Sequence, residues 1–309
     1  IVYLKSEFLD AVYMQQDSFD ETEGATSPDR QKYVFAKIVG VLGSTFDVKE
    51  KDEARAFFNK LRQEFTDMNY AQVAELISKA KYPTAFTGAG ISVESGIPPF
   101  RGEGGLWNKY DPDLLTLSTF HRQPEKSWAI IKEIFYDHWG EASPNPAHHA
   151  LATLEKIGMM KAIITMNIDN LHQKAGNTKV IEYHGTIGRL ICEKCGKTFK
   201  TGTISLDKIP PRCSCGAILK PDFIFFEEGI PTEAYNESID IAQKTDLMLV
   251  IGTTGEVIPA CHIPIIATEC GAKIIEINPS ESTYTHSITD IYIKQKAGIA
   301  LAEIAKEAQ

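Results

Sequence analysis

"TAFTGAGISVESGIPPFRG", residues 84–102, decides the fold. Its first residues are apolar or β-branched, the make-up of a buried strand. At Gly88 they give way to a loop holding Gly90, Ser92, Ser95 and Gly96, which runs into Pro98 and Pro99. A strand that ends in glycines and small hydroxyls is where a chain can lay bare backbone N–H groups against a pyrophosphate, and a helix opening just beyond adds a favourable dipole. The stretch departs from the dinucleotide fingerprint G-x-G-x-x-G. Gly88 and Gly90 are in place, but Val93 sits where the third glycine belongs, and no acidic residue ends a second strand about 20 positions on. By itself the stretch reads equally as a tight strand-to-helix turn.

Further along, apolar β-rich runs alternate with helical ones. "PTAFTG" (83–88), "KAIITMN" (161–167), "DLMLVIG" (246–252) and "AKIIEIN" (272–278) each end in a polar or glycine-containing turn. That alternation predicts an α/β fold: a Rossmann-like parallel sheet with helices on both faces, its ligands gathered in one crevice at the carboxyl ends of the strands. The domain is expected to span residues 68–309. Residues 1–67 differ in character. "EFLDAVYMQQDSF" (7–19) and "DEARAFFNKLRQEF" (52–65) repeat apolar residues every three or four positions, as amphipathic helices do, around a loop-like "DETEGATSPDR". This N-terminal helical segment is expected to be an appendage, a fusion or fragment preceding a self-contained domain that opens at Met68.

The 309 residues carry a net charge of −9, which gives no broad attraction to nucleic acid or to an anionic membrane. No apolar run reaches the roughly 18 residues of a transmembrane helix, and no basic-then-apolar leader opens the chain, so a cytoplasmic protein is expected. Four of the six cysteines crowd together as Cys192-x2-Cys195 and, 17 residues on, Cys213-x-Cys215. Two close thiolate pairs suit one tetrahedral zinc ion with no open position, a structural rather than a reacting metal, in a small zinc-ribbon module at about residues 188–222. Such a ribbon standing alone could equally be a binding finger.

Two further clusters lie at predicted strand ends. In "ITMNIDNLHQKAG" (164–176), Asn167 and Asp169 can hydrogen-bond a ribose or a carboxamide, or can simply cap the following helix. In "IEYHGTIG" (181–188), His184 precedes a glycine and is placed either as a structural histidine or as a general base near neutral pH.

Taken in order, GAGIS-x-x-SGIP-x-FRG, T-x-NID-x-LH-x-x-AG, YHG, the two cysteine pairs, "KPDFIFFEEGIP", "IGTTGEVIPA" and "IEINP" resemble the sirtuin family of NAD-dependent protein lysine deacylases across residues 68–309. The resemblance implies that Gly88, Ala89, Gly90 and Ser92 lie against the NAD pyrophosphate and that Ile97, Phe100 and Arg101 cover the nicotinamide ribose. It implies that Asn167 holds the ribose side, that Ile168 and Asp169 form the carboxamide pocket, that Gly252, Thr253 and Thr254 line the cofactor, and that Asn278 reaches the adenosine ribose. His184 would be the base, with Asn167 beside it as a second catalytic residue. An acyl-lysine protein or peptide would add as a strand beside "PDFIFFEEG", with Ile224, Phe225, Phe226 and Glu228 as its contacts. The acyl group would pass to ADP-ribose with release of nicotinamide. Mono-ADP-ribosyl transfer in the same pocket, or an inactive module that senses NAD or ADP-ribose, stand as alternatives.

The sequence departs from the family at Pro99, usually aspartate, at Met166, usually glutamine, and at Glu227, usually glycine. Family members that remove succinyl or malonyl groups carry a tyrosine followed three residues on by arginine; here Tyr136 is followed by Trp139, which favours an acetyl or longer neutral acyl group. Residues 1–70 resemble the C-terminal helical tail of the catalytic A subunit of V/A-type ATPases through "IVYLKSEFLDAVYMQQDSFDE", "RQKYVF" and "ARAFFNKLRQEFTDMNY", without any of that family's nucleotide-binding machinery.

Overall fold

A computed structural model of the protein describes residues 70–100, 104–140 and 142–309. The expected helical appendage over 1–67 and the expected domain start at 68 lie outside the described residues, as does Arg101.

The apolar runs form the strands of one parallel sheet. They are β1 (Pro83–Thr87), β2 (Ala162–Thr165), β3 (Val180–Glu182), β7 (Leu247–Ile251), β8 (Lys273–Ile277) and β9 (Ile291–Ile293), in the spatial order β3-β2-β1-β7-β8-β9. β1 and β7 are buried at every position, which is why β7 is a continuous apolar run and β1 carries nothing more polar than threonine. Register then sorts the side chains by face. Ala85 lies level with Ile163 and Leu249, while its neighbour Phe86 lies level with Ile164 and Val250.

The Ala85 row faces a core shared with the helix covering 70–79, here α1, with α4 (Pro146–Lys156) and with α8 (Ala297–Glu307). The Phe86 row faces a second core with α6 (Thr232–Lys244) and α7 (His262–Glu269). Helices cover both faces of the sheet, as the strand–helix alternation requires.

The other strands make a small antiparallel sheet, ordered β5-β4-β6, from β4 (Gly185–Ile191), β5 (Thr198–Lys200) and β6 (Lys220–Phe223). It carries the cysteine pairs. A third core joins it to α2 (Leu117–Arg122), to α3 (Pro124–Ile131) and to the π-helical turn Lys132–His138 through Phe120, Trp128, Phe135, Trp139, Phe223 and Phe225. Buried Trp128 donates its indole N–H to the Leu219 carbonyl at 2.9 Å, so the polar end of the largest side chain in this core is satisfied. The remaining helix, α5 (Leu171–Ala175), follows β2.

Candidate functional site

Parallel pairing puts the carboxyl ends of β2, β1, β7 and β8 side by side, and the loops leaving them are bound to one another. Gly88 N donates to Ile251 O at 3.0 Å, Gly90 N to Gly252 O at 2.8 Å, and Gly252 N to Ile277 O at 3.1 Å. The Asn278 side-chain amide donates to Thr253 O at 2.8 Å. Gly90 and Gly252 meet backbone to backbone. A Cβ on Gly90 would lie 2.6 Å from Gly252 Cα, and one on Gly252, whose φ is +63°, would lie 2.4 Å from Ile91 N. The glycines of the opening stretch are therefore required by contact between the β1 and β7 loops as well as by any phosphate. Ala89–Ser95 continue as a 3-10 helix, not an α-helix.

Inside this crevice Asn167, Asp169 and Ser92 form one buried cluster. The Asn167 amide donates to Gly88 O at 3.1 Å and to Ser92 Oγ at 3.2 Å; Ser92 in turn donates to Asp169 Oδ2 at 2.7 Å. Asp169 Oδ1 accepts from Leu171 N at 2.9 Å. Thus the carboxylate caps the start of α5 with one oxygen, as the capping reading expected, and orders the glycine-rich loop through Ser92 with the other. Burial holds the Asp169 carboxyl above the usual carboxylate range, against the pull of Leu171 N–H and the Ser92 hydroxyl. Ile168 is buried beside them and its carbonyl accepts from Ile187 N at 2.9 Å.

His184 follows β3 by two residues. Its Nδ1 lies 3.1 Å from the Met166 carbonyl, which can only accept, so Nδ1 carries the proton and Nε2 keeps its lone pair. Burial pushes the imidazole below its ordinary value, with the Met166 carbonyl partly opposing, so the neutral form prevails at pH 7. Met166 supplies this with its backbone, and its N–H is also fixed, to Thr87 O at 2.9 Å. The glutamine-to-methionine departure leaves both bonds intact.

A layer below lies a polar network that sequence reading did not single out. The Thr87 hydroxyl donates to Thr165 Oγ1 at 2.8 Å, which accepts Asn167 N at 3.1 Å, while His172 Nε2 meets Thr87 Oγ1 at 3.0 Å. Because the Thr87 proton is committed to Thr165, His172 Nε2 is the donor. His148 packs edge-on to His172, ring centroids 5.0 Å apart, and its Nδ1 accepts from Asn145 N at 3.3 Å, while the Asn145 side chain donates to Ile91 O at 2.7 Å. Burial, then the adjacent His149, brings His148 down to about 4, and burial, then His148, brings His172 to about 3. The available signal was a threonine ending each of two apolar strands, a place where an aliphatic residue would pack as well.

The segment after β6 is anchored on two sides. Ile224 N donates to His184 O at 2.9 Å, Phe226 N to Leu115 O at 3.0 Å, and Leu117 N to Phe226 O at 2.9 Å. Phe225 turns inward, stacked on Phe223 at 4.9 Å, and Glu228 pairs with buried Lys220 at 3.0 Å while accepting Phe225 N. Phe226 stays exposed, its ring 5.7 Å from that of Trp107. Glu227 has φ +71°, the backbone that ordinarily calls for glycine, and its carboxylate accepts from Ser118 N in the first turn of α2 at 3.2 Å. Ile97 is buried, and Phe100 lies between Trp107 (5.4 Å) and Trp139 (5.9 Å). Pro99 presents its carbonyl to Leu106 N at 2.9 Å, closing the loop.

The four thiols Cys192, Cys195, Cys213 and Cys215 lie with their sulfurs within 4.8 Å of one another, the Cys192–Cys215 pair at 3.5 Å and the Cys195–Cys213 pair at 3.7 Å. Tetrahedral zinc with bonds of about 2.3 Å requires sulfurs about 3.8 Å apart, so the donor set and its spacing fit. The first turn closes from Cys192 N to Lys197 O and the second from Cys213 N to Ala217 O, at 2.9 and 2.8 Å. The second turn is one residue shorter and still closes, which accommodates the tighter Cys-x-Cys spacing.

The Sir2 family pattern matches residues 88–259. The chain is 42% identical over 242 residues to the NAD-dependent protein deacylase 2 of Pyrobaculum aerophilum, covering 77% of this chain and 95% of that protein. It is 42% identical over 250 residues to an NAD-dependent protein deacetylase of Saccharolobus solfataricus, covering 78% and 98%. A solved Sir2 structure with a p53 peptide and NAD+ superposes with a TM-score of 0.70 at 32% identity, covering 76% of this chain and 97% of that one.

Proposed function

The chain belongs to the Sir2 family, and from that membership and the crevice we propose that it is an NAD-dependent protein lysine deacylase acting on acyl-lysine peptides. The observation that carries the chemistry is the fixed tautomer of His184. With Nδ1 donating to Met166 O, its Nε2 lone pair is the base that this neutral site offers. When bound, NAD supplies a ribose carbon that nicotinamide leaves and the ADP-ribose that receives the acyl group.

Asn167 and Ser92 orient the cofactor in this reading, Asp169 holds Ser92, which in turn accepts from Asn167, and lines the carboxamide pocket with Ile168, and Gly88, Ala89 and Gly90 lie against the pyrophosphate. Gly252, Thr253, Thr254 and Asn278 serve the rest of the dinucleotide; Ile97, Phe100 and Arg101 cover the reacting ribose. His184 removes a proton from a ribose hydroxyl. Phe225 and Glu228 support the peptide segment from within, Phe226 meets the peptide, and Ile224 holds the segment to His184. The N–H groups of residues 224–226 are all bonded within the protein, and the Phe225 and Phe226 carbonyls accept from Glu228 N and Leu117 N, so an adding peptide would donate to the Ile224 carbonyl.

Trp139, which stands at the sequence position of the arginine in family members that remove acidic acyl groups, is buried against Phe100 and Phe135, and this supports a preference for neutral acyl groups. Zinc held by the four cysteines would fix the fold of the small sheet and take no part in the reaction. Among the described residues no helix is long and apolar enough to cross a membrane; clustered thiols suit a cytoplasmic setting. The alignment that covers 95% of the Pyrobaculum protein uses 77% of this chain, which supports reading residues 1–67 as an appendage.

Nicotinamide release, measured with an acetyl-lysine peptide present and absent, tests the reading. Release that requires the peptide is expected. Peptide-independent release would mean transfer to another acceptor, and NAD binding without release would mean a sensing module.

A further inference from the structure

Glu94 belongs to the cofactor loop by position but points away from the buried cluster. It lies in the 3-10 helix Ala89–Ser95, two residues beyond Ser92, and Oε2 accepts the backbone N–H of Gly298 at 2.7 Å across 204 residues of sequence. Gly298 is the second residue of α8. That helix has no side-chain cap from its own N-cap residue, Lys296, and no acidic residue in its first turn. Its N-terminal N–H groups need an acceptor, and a carboxylate there is also favoured by the helix dipole. A Cβ on Gly298 would lie 2.8 Å from Glu94 Oε2 and 3.0 Å from Oε1. The glycine therefore keeps the place in which the carboxylate sits. α8 is anchored in turn in the main core by Ala300, Leu301 and Ile304.

We propose that Glu94 is a positioning residue for cofactor binding, a latch that ties the glycine-rich loop to the N-terminus of α8 and holds Gly90 and Ser92 in their binding geometry. The inference rests on the reading of that loop as the NAD site. Gly90 N to Gly252 O and Ser92 Oγ to Asp169 anchor the loop within the crevice and Asn145 Nδ2 holds Ile91 O; Glu94 adds the anchor beyond Ser92, on the exposed side of the turn. Loss of the latch leaves the loop free to leave the bound geometry, so NAD affinity falls while the reacting groups are untouched.

Gly298→Ala separates this role from simple capping. Alanine is the better helix former, so α8 is stabilised or unchanged, yet the new Cβ displaces the carboxylate. The experiment measures the Kd of NAD by calorimetry, KM for NAD, kcat and Tm for the full chain and for Glu94→Ala, Glu94→Gln, Gly298→Ala and the double variant Glu94→Ala/Gly298→Ala. Expected are a three- to tenfold rise in Kd and KM, about the factor that one lost helix cap represents, in Glu94→Ala and a smaller rise in Gly298→Ala, where the flexible carboxylate is shifted rather than removed, with kcat within about twofold. Glu94→Gln, which keeps the acceptor, restores most of the affinity, Gly298→Ala does not lower Tm, and the double variant is no worse than Glu94→Ala alone. Unchanged Kd with a lowered Tm in Glu94→Ala would overturn the latch and leave an ordinary cap, as would additive effects in the double variant. Wild-type protein that binds NAD but removes no acyl group would overturn the deacylase reading alone, since the Kd comparison still decides the latch; wild-type protein that binds no NAD would overturn both.

Discussion

His184 and Glu227 show what single residues contribute. His184 is held neutral by burial and aimed by one backbone carbonyl, so the lone pair on Nε2 is present throughout the neutral range. The acid limb of kcat/KM is therefore expected below pH 6.5, the ordinary histidine value; a pH–rate profile checks this, and an apparent value above 6.5 would contradict it. Glu227 occupies a left-handed backbone that costs a non-glycine residue about 1 kcal/mol, and its carboxylate offsets that by meeting Ser118 N. Glu227→Gly removes strain and bond together and should change stability by less than about 1 kcal/mol. Glu227→Ala keeps the strain, loses the bond and should cost about 1 kcal/mol, read by denaturant unfolding.

Among the elements, the strands were legible in the sequence because β1, β2, β7 and all but the first residue of β8 are buried, and burial on both faces leaves runs of apolar and β-branched residues broken only by Glu276. The cysteine module was legible because metal-ligand spacing is a local property. What sequence did not show was how elements lean on one another: the Gly90–Gly252 contact, the histidine pair, and Glu94 on α8 join residues from distant parts of the chain, and none has a local pattern. Nor did the motif reading distinguish Phe225, which packs inward, from Phe226, which is exposed, since two adjacent phenylalanines after a strand look alike until the turn at Glu227 is known. The small sheet itself supports a prediction. Most of the core beneath it comes from other elements, and its four thiols fit zinc, so chelation, or Cys192→Ser, should unfold this module and expose the surface around Trp128. Tryptophan fluorescence should change on chelation; an unaltered spectrum with full loss of zinc would count against a structural metal.

For the molecule as a whole, the buried histidines set acid stability. His148 and His172 take protons at about 4 and about 3 in the folded protein and near 6.5 when unfolded. Below pH 6.5 the unfolded chain binds more protons, so stability falls as pH is lowered, with a slope approaching two protons, about 2.7 kcal/mol per pH unit, until the folded values are reached. The downward shift of His184 adds in the same sense, while the raised Asp169 opposes it. Denaturant midpoints from pH 7 to 4.5 should drop steeply, and His172→Gln should flatten the drop. The fold and the meeting of four loops at the strand ends, where the candidate site lies, could be read from the chain because those loops have recognisable compositions; the protonation chemistry could not, because it depends on how deeply each ring is buried and on which partner it faces.

The central claim is that this crevice removes an acyl group from lysine at the expense of NAD with His184 as base. The most direct test incubates the purified chain with NAD and an acetyl-lysine peptide, follows the deacetylated peptide and O-acetyl-ADP-ribose by mass spectrometry, and runs His184→Ala beside it. Both products are expected, dependent on NAD, and reduced about 10²- to 10⁴-fold in a variant that remains folded. Product formation undiminished in His184→Ala, or no product across a series of neutral acyl groups despite measurable NAD binding, would contradict the account.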